Sequence, residues 1–314
     1  MKMNQTWKKQ GIELQPGMTI KGKWHQHHYV IKRKLGSGAI GSVYLCAHNG
    51  KNRALKISDN STSMTMEVNV LKSLAKVQGN RLGPSLFDVD DWETPQGIKY
   101  AFYVMEYLQG ESITSFMKRN GSEWIGVFML QLLDDLERLH QSGWVFGDLK
   151  TDNLLVTSSP PKVRWVDVGG TTQIGRAIKE YTEFYDRGYW GMGSRRAEPS
   201  YDLFAFVMVF LAIYFPKRFN RGANPEKQLI TKLHEAQSLK MYRSCLKKAI
   251  QGKYQSSAQM KKELASTIYL AQRGHTVKRS TRRQRTAKQG PVIVELTGLF
   301  ILSLVYYLSS LLLP

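Results

Sequence analysis

The chain has 314 residues, 42% of them hydrophobic and 22% charged, and a formal net charge of +20. That length and apolar content suffice for one two-lobed domain with a tail and fit poorly with collagen, coiled coil or disorder. Cys46 and Cys245, far apart in the chain, form neither a disulfide framework nor a zinc-ligand spacing and suit a reducing compartment, while the charge predicts attraction to nucleic acid, anionic lipid or nucleotide phosphate.

Met1 to Gln10 is polar, with no apolar h-region, so no secretory leader is expected and the bulk of the chain stays inside the cell. His25, His27 and His28 follow. No acid or cysteine accompanies them, and strand alternation points neighbours to opposite faces, so they read as strand-edge polar groups rather than metal ligands. Tyr29 to Leu35, Val43 to Ala47, Arg53 to Ile57 and Ala101 to Met105 are predicted strands, with one helix over Met64 to Leu74 among them. From Glu111 onward helical patterning takes over: Ile125, Phe128, Met129, Leu132, Leu136 and Leu139 share one face. Leu203 to Phe215 is apolar for thirteen residues, a length that predicts a buried helix rather than a membrane span. No repeat of 20 to 50 residues is visible, which argues against a solenoid or propeller.

The first chemical signal is Gly36-Ser37-Gly38-Ala39-Ile40-Gly41-Ser42-Val43. Glycines at these positions let a hairpin lie close over phosphates, although a GxGxxG pattern alone also marks dinucleotide folds. Here the segment continues as strand and reaches Lys56, with Glu67 in the following helix as the carboxylate able to orient it. The second signal is Asp148, Lys150 and Asn153 at offsets of zero, two and five, then Asp167-Val168-Gly169 fourteen residues later. Phosphoryl transfer needs positioning and charge neutralisation more than covalent help. Asp148 would orient an acceptor hydroxyl and take its proton, Lys150 would neutralise the transferred group, and Asn153 and Asp167 are hard oxygen ligands for Mg²⁺.

Near the C-terminus, Arg273 to Lys288 holds seven Lys or Arg and no acid. Leu296 to Leu313 then runs eighteen residues without a charge, roughly 27 Å of helix, close to a bilayer core. A transmembrane anchor is predicted, with the basic flank on the cytoplasmic side. Only Pro314 follows, so no sensor domain is expected beyond the membrane. The basic segment could gain about 1 kcal/mol per cation from an anionic leaflet or release counterions from DNA. It contains no aromatic residue for base stacking, so DNA contact would be backbone-directed.

These motifs resemble the Hanks-type, eukaryotic-like protein kinases, with matches from about Leu35 to Asp202. The resemblance implies an α+β bilobal fold, a β-rich N-lobe over an α-helical C-lobe, here with a C-terminal transmembrane helix. It implies ATP with Mg²⁺ in the cleft between the lobes. Leu35, Gly36, Ser37, Gly38, Ala39, Gly41 and Val43 match the glycine loop, Lys56 and Glu67 the strand lysine and its partner, and Glu106 and Leu108 the adenine-reading hinge. Asp148 and Lys150 match the catalytic loop, and Asn153 and Asp167 the metal ligands. Lysine two residues after the catalytic aspartate resembles serine/threonine rather than tyrosine kinases, and Asp202 resembles the residue that braces the catalytic loop.

Three departures stand out. Phe146-Gly147-Asp148 lacks the arginine that usually grips a phosphorylated activation loop, which makes constitutive or partner-driven activity the expectation even though Thr171, Thr172 and Thr182 are available as sites. Val168 replaces a phenylalanine, and Ala197-Glu198-Pro199 exchanges the last two residues of the usual Ala-Pro-Glu. The short C-lobe, the basic linker and the anchor are similar to the small tail-anchored kinases of endospore-forming Gram-positive bacteria. That similarity implies DNA as partner and a role in sporulation.

The expected organisation is an N-terminal extension over 1–18, N-lobe and hinge over 19–108, C-lobe over 109–270, basic linker over 271–290 and anchor over 291–314. The expected activity is transfer of the ATP γ-phosphate to Ser/Thr of the chain itself and of cytosolic proteins, at the cell membrane, with DNA or anionic lipid at the linker and a dimer left open. A catalytically silent scaffold binding DNA or lipid should have lost Lys56, Asp148, Asn153 or Asp167, and none is lost. A small-molecule phosphotransferase is the third reading, disfavoured by Lys150, the full glycine loop and the Glu198-Pro199 element.

Overall fold

Alternation of β-branched and aromatic residues builds the first lobe from strands. The structure, a computed structural model, describes residues 12–287 apart from Ala39, Asn80 and Ser159. β1 (Thr19–Lys21), β2 (His28–Ser37), β3 (Ser42–His48), β4 (Lys51–Ser58), β5 (Leu86–Glu93) and β6 (Lys99–Glu106) form an antiparallel sheet ordered β1-β2-β3-β4-β6-β5, with α1 (Ser61–Leu74) joining β4 to β5. Tyr29, Ile31, Tyr44, Leu55 and Phe102 pack its core, together with Leu14 from the N-terminal extension. The four predicted strands lie within β2, β3, β4 and β6. Asn60 caps α1 by accepting from Ser63 N, so the helix starts three residues before the apolar stripe that begins at Met64.

β1 and β5 were not expected, and β5 explains why. Its sequence, LFDVDDWE, places apolar residues at 87 and 89, yet Asp88, Asp90 and Trp92 are the buried ones while Phe87 and Val89 are exposed. A bulge between Leu86 and Asp88 shifts the register with β6, and such a shift turns alternate side chains to the other face. The buried carboxylates are satisfied by the β1–β2 connection. Asp90 accepts from Trp24 N (2.9 Å) and His25 N (2.8 Å), and Lys23 N donates to Asp91 O at 2.8 Å. The connection thereby reaches across to the opposite edge of the sheet.

The second lobe is helical with small strands at its upper face. β7 (Glu111–Ser112), α2 (Ile113–Asn120), α3 (Trp124–Gln141), β8 (Trp144–Val145), β9 (Leu154–Thr157), β10 (Lys162–Trp165), β11 (Thr172–Gln173), α4 (Arg187–Trp190), α5 (Pro199–Tyr214), α6 (Pro225–Glu235), α7 (Arg243–Ile250) and α8 (Ser257–Ala287) follow in order. The strands make a three-stranded sheet β10-β9-β7 and a pair β11-β8. Every residue of the predicted stripe on α3 is buried. α5 contains the apolar run up to Tyr214 and is buried continuously from Tyr201 to Ala212; it begins earlier than the run because Pro199 suits the first helical turn.

The chain forms two compact units, residues 1–263 and 264–314. The segment expected as a basic linker is helical as far as Ala287, in α8. No helix among the described residues is long and apolar enough to cross a membrane. The expected anchor over 291–314, linker residues 288–290 and residues 1–11 of the extension lie outside the described residues.

One buried carboxylate positions the loop at Phe146 and Gly147 on this scaffold. Asp202, in the first turn of α5 and fully buried, accepts from Phe146 N (2.7 Å), Gly147 N (3.0 Å) and faces His140 Nε2 (2.9 Å). His140 comes from the end of α3 and meets Ser257 Oγ through its other ring nitrogen at 3.1 Å. Asp202→Asn would turn one acceptor towards these groups as a donor. The expected loss is roughly 3 kcal/mol of stability, measured by urea unfolding, because buried donors would be left unsatisfied.

Candidate active site

Lys56 lies on β4 directly opposite Tyr103 on β6, so both side chains leave the same face of the sheet. Glu67 sits within the apolar stripe of α1, one turn after Met64 and one before Leu71, and is therefore carried to that face. Lys56 Nζ lies 2.8 Å from Glu67 Oε1 and 2.7 Å from Oε2, and Tyr103 OH donates to Oε2 at 2.7 Å. All three are buried. Burial, and then the adjacent Glu67 charge, push the Tyr103 phenol well above its ordinary range, so it stays a donor. Asp167 Oδ1 stands 3.8 Å from Lys56 Nζ.

Above this pair, the β2–β3 hairpin pairs Gly36 with Val43 and Ser37 with Ser42, and Gly38 N donates to Gly41 O at 2.9 Å. A Cβ on Gly41 would come within 2.4 Å of Ile57 O, so only glycine lets the hairpin rest on β4 here; Gly36 and Gly38 face open space. Ala39 lies outside the described residues.

Below it, Asp148 accepts from Lys150 Nζ at 2.5 Å and from Thr182 Oγ1 at 3.2 Å. Asn153 Nδ2 donates to Asp148 O at 2.9 Å, which orients the amide. Burial pushes the Asp148 carboxyl above the ordinary aspartate range, with hydrogen bonding and charge from Lys150 opposing it. Asp167 is half exposed and accepts from Gly169 N at 2.9 Å. The hinge residues Glu106 and Leu108 close the rear of the cleft, and the Glu106 side chain is held there by Ser85 and Arg164 (3.2 Å).

Lys56, Glu67, Tyr103, Glu106, Leu108, Asp148, Lys150, Asn153, Asp167 and the three glycines of the hairpin line a single cleft of about 1120 Å³, and so do Leu35, Ser37, Val43, Met105 and Leu155. The cleft suits a nucleoside triphosphate with a divalent metal: an apolar slot, glycines with room for a ligand to approach, a buried ammonium, and oxygen donors at Asn153 and Asp167. The described residues expected of the site all lie along this cleft.

The tertiary contacts of several further residues were not legible in the sequence. Gly147, where the family usually has arginine, has φ of 80°, and a Cβ there would come within 2.4 Å of Gly170 O; in return a Cβ on Gly170 would meet Asp148 Cβ at 2.7 Å. The two glycines bring the loop at Asp148 and the segment after Asp167 into backbone contact, and the pairing joins positions distant in sequence. Phe146 beside it is buried against Trp165, with ring centroids 4.8 Å apart. Asp186, fully buried, accepts from Gly188 N, Tyr189 N, Arg195 Nε and Tyr201 OH. Arg187 Nη2 pairs with Glu198 Oε1 at 2.5 Å, so the displaced glutamate finds its cation only eleven residues upstream. Of the threonines considered as modification sites, Thr171 is buried and Thr182 is bound to Asp148 and 3.4 Å from Lys150, so neither presents its hydroxyl outward in this arrangement; Thr172 donates to Gly170 O.

A family model described as a protein kinase domain matches residues 29–286. The serine/threonine-protein kinase YabT of Bacillus subtilis strain 168 is 47% identical over 297 residues, 92% of this chain and 88% of that protein. The sporulation protein kinase mde3 of Schizosaccharomyces pombe is 27% identical over 225 residues, 65% of this chain and 40% of the relative. A crystal structure of a kinase domain has a similar fold, with a TM-score of 0.59 at 16% identity over 80% of this chain and 97% of that one.

Three outcomes are expected of this geometry. Gly147→Arg, although it inserts the more usual residue, should lower phosphate transfer at least about tenfold and reduce the unfolding midpoint, because left-handed backbone costs a non-glycine residue roughly 1–2 kcal/mol before the contact with Gly170 is counted. Protonated Asp148 cannot accept a proton, so turnover should fall as pH falls through its raised pKa. Lys150→Met, by removing the opposing cation, should move that acid limb of the pH–rate profile to still higher pH.

Proposed function

The chain belongs to the protein kinase domain family and is an ATP-dependent serine/threonine kinase, and from that premise we propose that it works tethered to a membrane and under the control of a polyanion. The observation that carries the catalytic part of this reading is the convergence of Lys56, Glu67, Asp148, Lys150, Asn153 and Asp167 on one cleft. Lys56, fixed by Glu67, would hold the α and β phosphates. Asn153 and Asp167 would hold Mg²⁺, which when bound neutralises charge on the phosphates. Asp148 orients the acceptor Ser or Thr hydroxyl and takes its proton, and Lys150 keeps the carboxylate aimed while placing a cation beside the transferred group.

The control element follows from Gly147. Without an arginine at this position, the loop lacks the usual grip on a phosphorylated activation segment, which supports activity that is constitutive or set by a partner. The partner reading rests on the seven cations between Arg273 and Lys288 and the apolar run that follows. Membrane anchoring through 291–314, a cytoplasmic kinase domain, and DNA or anionic lipid on the basic segment fit that charge pattern. DNA and a sporulation role come from the resemblance to tail-anchored kinases of endospore formers.

The test is transfer of labelled γ-phosphate from Mg-ATP to the full chain and to a basic protein substrate, with Asp148→Ala as control and with duplex DNA or anionic vesicles added. Labelling that requires Asp148 is expected, with stimulation that declines as salt is raised. Stimulation by vesicles but not DNA would assign the basic segment to lipid, and absence of labelling under every condition would favour the silent scaffold.

A further inference from the structure

His25, His27 and Asp88 form a second cluster that the kinase reaction does not use. His25 and His27 flank Gln26, whose φ of 59° turns the chain and brings both rings to one side. His25 Nδ1 is 2.6 Å from Asp88 Oδ1, and His27 Nδ1 is 3.1 Å from Asp88 Oδ2. Tyr29 OH donates to Oδ2 at 2.5 Å and Val89 N to Oδ1 at 2.9 Å, so the carboxylate is held from behind. Asp90, also buried, stands 3.9 Å from His25 Nδ1. In a chain of net charge +20, this edge concentrates Asp88, Asp90, Asp91 and Glu93 within one strand, and the nearby Lys23 is paired with Glu93 at 3.3 Å. None of these residues lines the nucleotide cleft.

We propose that His25, His27 and Asp88 bind a divalent transition metal of the zinc class, which staples the β1–β2 connection to β5. The candidate ligand atoms all lie within 4.8 Å of one another. Tetrahedral zinc with bonds of about 2.0–2.1 Å sets its ligands roughly 3.3 Å apart, so the rings need only small movements, and both are about half exposed and free to make them. Two imidazoles with one carboxylate select Zn²⁺, Co²⁺ or Ni²⁺ over Mg²⁺, which prefers an all-oxygen octahedral shell. The hydrogen bond from Tyr29 to the ligating carboxylate is the outer-shell support such sites use, and water would complete the coordination. His28 is on β2, bonded to neither aspartate, and takes no part.

The experiment is titration of the full chain, prepared without a polyhistidine tag and in excess Mg²⁺, with Co²⁺ followed by its visible absorption. One equivalent should bind with a tetrahedral spectrum and be displaced by Zn²⁺. His25→Gln and His27→Gln should each weaken Co²⁺ binding at least about tenfold, while His28→Gln leaves it unchanged. Retained phosphate transfer in these variants shows that they are folded. Zn²⁺ at about one hundred times its Kd should raise the parent unfolding midpoint by about 5 °C or more, and should not raise that of the His25→Gln, His27→Gln pair. No saturable binding, or binding that survives the double substitution, overturns the site.

Discussion

Asp202 is the fixed point of the active site. Its two oxygens receive the backbone of Phe146 and Gly147 and the ring of His140, all inside a helix end with no access to water. A buried carboxylate without those partners would cost several kcal/mol, so the catalytic loop has one arrangement in which the charge is satisfied. Asp148 and Asn153 inherit their positions from that arrangement, and Lys150 reaches Asp148 from the same short stretch.

The N-lobe uses buried charge in two further places with different outcomes. Lys56 and Glu67 meet where strand register and helix periodicity converge, and Tyr103 completes the hydrogen bonding of the carboxylate. Such a pair contributes little net stability after desolvation; what it does is hold an ammonium in a fixed place in the cleft. Asp88 and Asp90 instead close the sheet by gathering amides and rings from the β1–β2 connection. Burial works to raise the Asp88 carboxyl, and hydrogen bonds from Tyr29, His27 and His25 outweigh it and hold it below its usual range.

The departures from the family pattern form a consistent set. Gly147 stands where an arginine is usual, and the backbone of Gly170 lies against it, so the loop at Asp148 touches the segment after Asp167 directly. Val168 is buried, its methyl lying 3.0 Å from where a Cβ on Gly83 would be, which links that segment to the chain just before β5. Glu198, displaced by one position, pairs with Arg187 from the short helix α4.

Local pattern determined much of this protein. The glycine hairpin, Lys56, Glu67, the catalytic-loop spacing and the apolar run of α5 are written in short windows, because each depends on strand alternation, helical period or a turn that needs glycine, and the active-site residues were legible for that reason. Tertiary structure decided the rest. β5 carries its acids inward against its own hydrophobic alternation because their partners lie more than sixty residues away at Trp24, His25 and His27. The same distance hid the acid from the histidine cluster. The contacts of His140 with Asp202 and Ser257 join three segments far apart in the chain, and Gly147 looked like a lost arginine until Gly170 occupied its space. A residue whose role is set by a neighbour brought near only by folding leaves no mark on periodicity or spacing, since neither encodes contact across the chain.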